Sequence, residues 1–229
     1  MKPGGWAVSS GAFSLREGVR ELIDGPVGKI EVVYHAARED GPLFGQGYVA
    51  VVCHPHPLFA GTMDNKVVTT AVRSYCELGT PTVRFNFRGV GATEGEHDEG
   101  KGEGDDLEAV ATWALQQAAA DKLLLCGFSF GSMVALHRHD RIAQTRHLAL
   151  LAPPLERFPE SPPTSLALPL TLVVAGDDEV VDAPATLRWQ ETIRSEHDLL
   201  LLDGASHFFH GRLTELRERL QRSVADFLR

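Results

Sequence analysis

The chain has 229 residues, 43% of them hydrophobic, and a formal net charge of −9. That length and apolar content support one α/β core with no dividing linker, so 1–229 is expected to form a single domain. The acidic excess argues against a nucleic-acid partner, no run of about twenty apolar residues could span a membrane, and no apolar segment follows Met1-Lys2 to make a signal peptide.

Residues 1–10 carry little pattern and are expected to be mobile. The stretch 21–34 reads as two antiparallel strands joined by a Gly/Pro turn. From there strands alternate with helices, which predicts parallel βαβ units with right-handed crossovers. Tyr48-Val49-Ala50-Val51-Val52 is a strand, and His54-Pro55-His56-Pro57-Leu58 is the loop that leaves it. Val68, Ala71, Val72 and Tyr75 line one face of a first helix. Gly89 and Gly91 free the backbone for a tight exit from the strand around Phe85. The acidic, glycine-rich stretch 94–103 reads as a solvated loop, because it lacks the spacing of a calcium site.

Leu123-Leu124-Leu125-Cys126 has the composition of a strand buried on both faces. Gly127-Phe128-Ser129-Phe130-Gly131 follows it, and Met133-Val134-Ala135-Leu136 then starts a helix. A serine between two glycines at a strand-to-helix junction is a nucleophile elbow. The turn holds the serine in strained backbone geometry, and a Cβ on either flank would collide with its surroundings. The serine Oγ then projects at the positive end of a helix, where an oxyanion can be stabilised.

Such a serine needs a base, and the base an orienting carboxylate, in the chain order Ser, Asp or Glu, His. Leu172-Val173-Val174-Ala175 runs into Gly176-Asp177-Asp178-Glu179, and Leu199-Leu200-Leu201-Leu202 runs into Asp203-Gly204-Ala205-Ser206-His207. Both groups therefore arrive at the carboxyl ends of consecutive strands, the edge where open α/β sheets place ligands. His207 is the expected base. His197, His137 and His139 read as solvated, and His54 and His56 precede the serine in the wrong order. Asp177 and Asp178 are adjacent and only one can face the histidine; Asp182 is a more distant choice. The oxyanion hole should take one N–H from Phe130 and a second from the loop after Val52. Pro55 and Pro57 have none to give, which leaves His56 or Leu58. Two local histidines without a third ligand do not make a metal site, and no cofactor is implied.

With these motifs in hand, the chain resembles the α/β-hydrolase superfamily, and within it the small lidless bacterial serine hydrolases related to dienelactone hydrolases and acyl-peptidase-like esterases. The resemblance rests on residues 53–63, on Arg84-Phe85-Asn86-Phe87-Arg88-Gly89-Val90-Gly91, on the elbow, and on 204–209. It implies a mostly parallel twisted sheet with helices on both faces and antiparallel N-terminal strands. It further implies Asp178 as the acid, because Glu-Val-Val follows it, Leu58 as the second oxyanion donor, and a bracing role for Arg88.

After His147-Leu148-Ala149-Leu150-Leu151 comes a proline-rich stretch to Pro163, with the next strand near Leu168, too short and polar for a cap domain. The expected activity is hydrolysis of a small soluble ester, thioester or amide through an acyl-enzyme. Acyl transfer or perhydrolysis by the same triad, and a non-catalytic binding protein on the same fold, are the alternatives. Cys53 and Cys126 read as packing residues within or at the end of strands. With no disulfide framework, a reducing cytoplasm is the expected compartment.

Overall fold

Each central strand is apolar on both of its faces, and that demand for cover on two sides organises the molecule. The computed structural model describes residues 18–158 and 160–229; residues 1–10, expected to be mobile, lie outside them. The strands are β1 (Val19–Asp24), β2 (Lys29–His35), β3 (Tyr48–Cys53), β4 (Thr82–Phe85), β5 (Lys122–Phe128), β6 (Thr145–Leu151), β7 (Leu170–Ala175) and β8 (His197–Leu202). They form an eight-stranded sheet in the order β1-β2-β4-β3-β5-β6-β7-β8. β1 pairs antiparallel with β2 and β2 antiparallel with β4, while all pairings from β4 to β8 are parallel.

The period of two along a strand sends alternate side chains into two separate cores. Val49, Val51, Leu123 and Leu125 pack with Val110, Ala111, Met133 and Trp189. These partners come from α2 (Lys101–Ala118), α3 (Phe130–Arg138) and α4 (Ala183–Gln190). Ala50, Val52, Leu124 and Cys126 face the other way, onto Val68, Val72, Leu216 and Leu220 of α1 (Lys66–Glu77) and α5 (Leu213–Phe227). Parallel register then aligns the strand ends. Cys53 lies opposite Gly127, Phe128 opposite Leu151, and Ala175 opposite Leu202. The loops that follow these residues therefore emerge along one edge.

The stretch 94–103 departs from the solvated loop expected of it. Its end is the first turn of α2, and Glu103 is fully buried there. The Glu103 carboxylate accepts hydrogen bonds from the Gly100 amide at 2.8 Å and the Asp98 amide at 2.9 Å, closing the helix start. The glycines that resemble loop residues are there for packing. A Cβ on Gly102 would lie 1.9 Å from the Arg88 guanidinium, and one on Gly104 2.1 Å from Arg138 Nε. Arg88 itself reaches Asp106 through Nε at 3.1 Å and Nη2 at 2.8 Å, with both side chains buried, as a bracing role requires. Between β6 and β7 the described residues hold only a single 3-10 turn, Leu155–Arg157, and no cap. Among the described residues no helix is long and apolar enough to cross a membrane.

His35, His54 and His147 are buried among these elements. Burial disfavours the imidazolium and brings His35 and His54 down to about 4 and His147 to about 3. His147 Nε2 meets Thr171 Oγ1 at 3.0 Å, and Thr171 Oγ1 meets Ser223 Oγ at 2.7 Å, so the group is locked between sheet and α5. In the unfolded chain each of these rings takes a proton near pH 6.5. Their contribution to stability is thus whole above about pH 6.5 and is lost as pH falls through their folded values. Urea unfolding followed at several pH values is expected to show a fall in unfolding free energy from pH 6.5 to 4.5, its slope near pH 5 corresponding to about two to three protons taken up. A flat profile would contradict the neutral, buried state of these rings.

Candidate active site

The short turn between β5 and α3 dictates the geometry of Ser129. Its φ of 52° and ψ of −122° lie outside the ordinary regions for a residue with a side chain. The glycines at either side make the turn possible. A Cβ on Gly127 would lie 2.2 Å from the Gly131 carbonyl oxygen, and one on Gly131 would lie 2.4 Å from that of His54. The start of α3 is thereby pressed against the exit of β3, and Ser129 is carried to the edge of the sheet between them.

His207 follows β8 and Asp178 follows β7. Ser129 Oγ and His207 Nε2 are 3.1 Å apart, and His207 Nδ1 and Asp178 Oδ2 are 2.8 Å apart. Asp178 Oδ1 accepts the amides of Val180 and Val181, each at 2.8 Å. Burial raises the pKa of this carboxyl, but the hydrogen bond from His207 and those two amides outweigh it and hold the group below its ordinary value. An ionised carboxylate can only accept, so Nδ1 carries the imidazole proton and Nε2 is left to accept from the serine hydroxyl. The His207 amide donates to Glu179 at 3.0 Å, which fixes the loop as well as the ring. Asp177 is exposed, its amide donating to the Ala205 carbonyl at 3.0 Å, and it is Asp178 that meets the imidazole. Asp182 caps α4 through the Ala185 amide.

The two histidines after β3 have separate duties. His54 is fully buried, and its Nε2 accepts the Phe87 amide at 3.0 Å, tying the β3 exit to the β4 exit. His56 stands in the mouth of the site. Leu58 departs from the role the resemblance implies for it: its amide donates to His56 Nδ1 at 3.2 Å, and its side chain is 70% exposed. The His56 amide has no hydrogen-bond partner among the described residues, and neither has that of Phe130, the first residue of α3. The turn is shaped by Gly61, where a Cβ would lie 2.1 Å from the Pro55 carbonyl.

Two histidines read as solvated are not. His139 is buried with Nδ1 2.6 Å from the Leu136 carbonyl, where α3 tightens into the 3-10 turn His139–Arg141. His137 stacks on Phe158, with centroids 5.1 Å apart. A further residue of the site, His97, comes from the acidic stretch 94–103, where nothing in the sequence distinguishes it. It lines the cavity in front of Ser129, 4.9 Å from the ring of His56 and 5.6 Å from that of Phe130. Its Nδ1 lies 2.6 Å from Glu103 Oε1, a contact too poorly aligned to be a hydrogen bond. Among the described residues no group of three His, Cys, Asp or Glu is disposed to hold a metal ion.

The fold recurs in known proteins. No family model matches the chain. It is 31% identical over 214 residues to the uncharacterized protein RP471 of Rickettsia prowazekii, covering 90% of this chain and 86% of that protein. Among solved structures it is similar to XC6422 of Xanthomonas campestris, described as an α/β serine hydrolase without a lid. That likeness has 38% identity, a TM-score of 0.83, and coverage of 94% of this chain and 97% of the other. An α/β serine hydrolase homologue from Coxiella burnetii is 42% identical with a TM-score of 0.81, over 89% of this chain and 96% of the other. The chain belongs to the α/β-hydrolase superfamily, among its lidless serine hydrolases.

Gly131→Ala is expected to destabilise the protein by about 1–3 kcal/mol through overpacking against the β3 exit, lowering Tm by roughly 3–10 °C. A thermal melt of the variant indistinguishable from that of the parent would show that helix and loop do not bear on one another.

Proposed function

We propose that the protein hydrolyses small soluble esters through an acyl-enzyme on Ser129. His207 takes the serine proton as Oγ bonds to the carbonyl carbon, then gives it to the leaving-group oxygen as that bond breaks; a water activated by the same ring releases the acid. Asp178 holds the imidazole in the required tautomer and stabilises the imidazolium. The oxyanion is held by the amides of Phe130 and His56, one at a helix N-terminus and the other in the β3 exit loop. The observation that carries this reading is the unbroken chain from Ser129 Oγ through His207 to Asp178 at 3.1 and 2.8 Å. The uncapped approach to Ser129 favours a dissolved substrate over an interfacial lipid. The reducing compartment argued from the cysteines is part of the same proposal.

Fluorophosphonate labelling tests the nucleophile, and is expected to vanish in Ser129→Ala. Ser129→Ala and His207→Ala should each abolish turnover of an activated ester, with the double variant scarcely worse than either, because such residues act as a unit. Multiplicative losses would refute the triad. Asp178→Asn should lower kcat on the order of ten-thousand-fold by favouring the wrong tautomer, and Asp177→Asn far less; the reverse order would reassign the acid.

The second oxyanion donor is tested by removing the N–H alone. His56 has a φ of −54°, which proline tolerates. His56→Pro is expected to cost about 100-fold or more in kcat, whereas His56→Ala, which keeps the amide, should cost much less. Equal losses would point to the ring instead.

A further inference from the structure

The cavity over Ser129 is much larger than a short acyl group requires, at about 1100 Å³. One of its walls is a run of touching rings. Phe130 packs against His56 at 4.8 Å and Phe158 at 6.0 Å, and Phe59 meets His56 edge-on at 4.8 Å. These separations are those at which aromatic rings interact favourably in tilted and edge-to-face geometries. The wall is also held in place before any ligand arrives. Phe158 is stacked on His137 with only 4° between the ring planes. Its other end occupies the space left by Gly100, where a Cβ would lie 2.6 Å from Phe158 Cζ.

The chemistry proposed above determines which part of an ester meets that wall. The leaving-group oxygen must lie against His207 Nε2, from which it takes its proton; the Phe208 ring is 5.1 Å from that of His207 and lines the same cavity. The oxyanion is directed between the amides of Phe130 and His56. Besides Ser129 Oγ, the remaining substituent of the tetrahedral carbon is the acyl group, for which the cavity offers the ring wall that runs out to Phe158.

We infer that the acyl subsite is built for an aromatic ring, and that the favoured substrates are esters of arylalkanoic acids whose ring lodges against Phe158, with Phe130 buttressing it from behind. This rests on the esterase reading and sharpens it to a substrate class. A planar ring offers its edge or face to each wall ring at once, whereas a saturated ring of the same skeleton offers only apolar area.

The test keeps the leaving group constant and varies the acid: ethyl 3-phenylpropanoate, ethyl 3-cyclohexylpropanoate and ethyl butanoate, with acid release followed by pH-stat. The expected kcat/KM for the phenyl ester is about tenfold above that for the cyclohexyl ester, and the ratio should fall towards one in Phe158→Leu, which keeps apolar bulk without the ring. A wild-type ratio at or below one, or a ratio unchanged in Phe158→Leu, overturns the aromatic subsite while leaving the esterase reading intact. Failure to cleave any of the three esters overturns that reading and this inference with it.

Discussion

The contact between Gly131 and the carbonyl groups of His54 and Cys53 is the constraint on which the rest of the site depends. It joins three things that are far apart in sequence: the turn holding Ser129, the N-terminal end of α3, and the loop after β3. Only a residue without a side chain allows the approach, and only in-register parallel strands bring the two backbones level, with Cys53 opposite Gly127. Because the helix start cannot withdraw, the amide of Phe130 stays beside the loop that carries the amide of His56. Two free donors are then fixed by backbone packing, with no side-chain rotamer to reorganise. The strained φ of Ser129 persists because the surrounding contacts over-determine it.

Opposite this fixed backbone, His207 is held by its neighbours rather than by strain. Asp178 has one oxygen saturated by two amides, so the other is directed at the imidazole. The same loop returns a second hold through Glu179 and the His207 amide. Burying a carboxylate is costly unless it is well provided with donors, and here three donors serve one group. The His-Pro-His-Pro run shows similar economy. His54 pins two strand exits from within the core, while His56, two residues on, offers its amide and its ring to the cavity.

The parallel core and the elbow are legible in the sequence because their signals are local. Unbroken apolar runs such as Leu123-Leu124-Leu125-Cys126 require a strand covered on both faces, and the glycines around Ser129 require a sharp turn. His207 follows from where its run ends, whereas the end of the neighbouring run leaves Asp177 and Asp178 open and only the family resemblance favours Asp178. Other assignments escape because they depend on what lies across space. Gly102 and Gly104 look like loop residues, yet they open a helix and make room for Arg88 and Arg138. Glu103 looks solvated among its acidic neighbours, yet two amides and a histidine surround it. The choice between Leu58 and His56 turns on a hydrogen bond within the loop that composition does not reveal. Phe158, in a proline-rich segment, takes its meaning only from His137 and Gly100.

The cysteines bear on how the folded state can be observed. Cys53, Cys76 and Cys126 are all buried and free. Burial pushes the thiols of Cys76 and Cys126 up to about 12 and that of Cys53 well above its ordinary value. With almost no thiolate at neutral pH and no path for a reagent, these sulfurs are silent towards alkylation and oxidation while the sheet is intact. Cys53 and Cys126 lie on neighbouring strands that lead directly to the 54–58 loop and the elbow. Thiol reactivity at Cys53 and Cys126 is therefore a clock for the opening of the two strands that hold Ser129 and His56 in place.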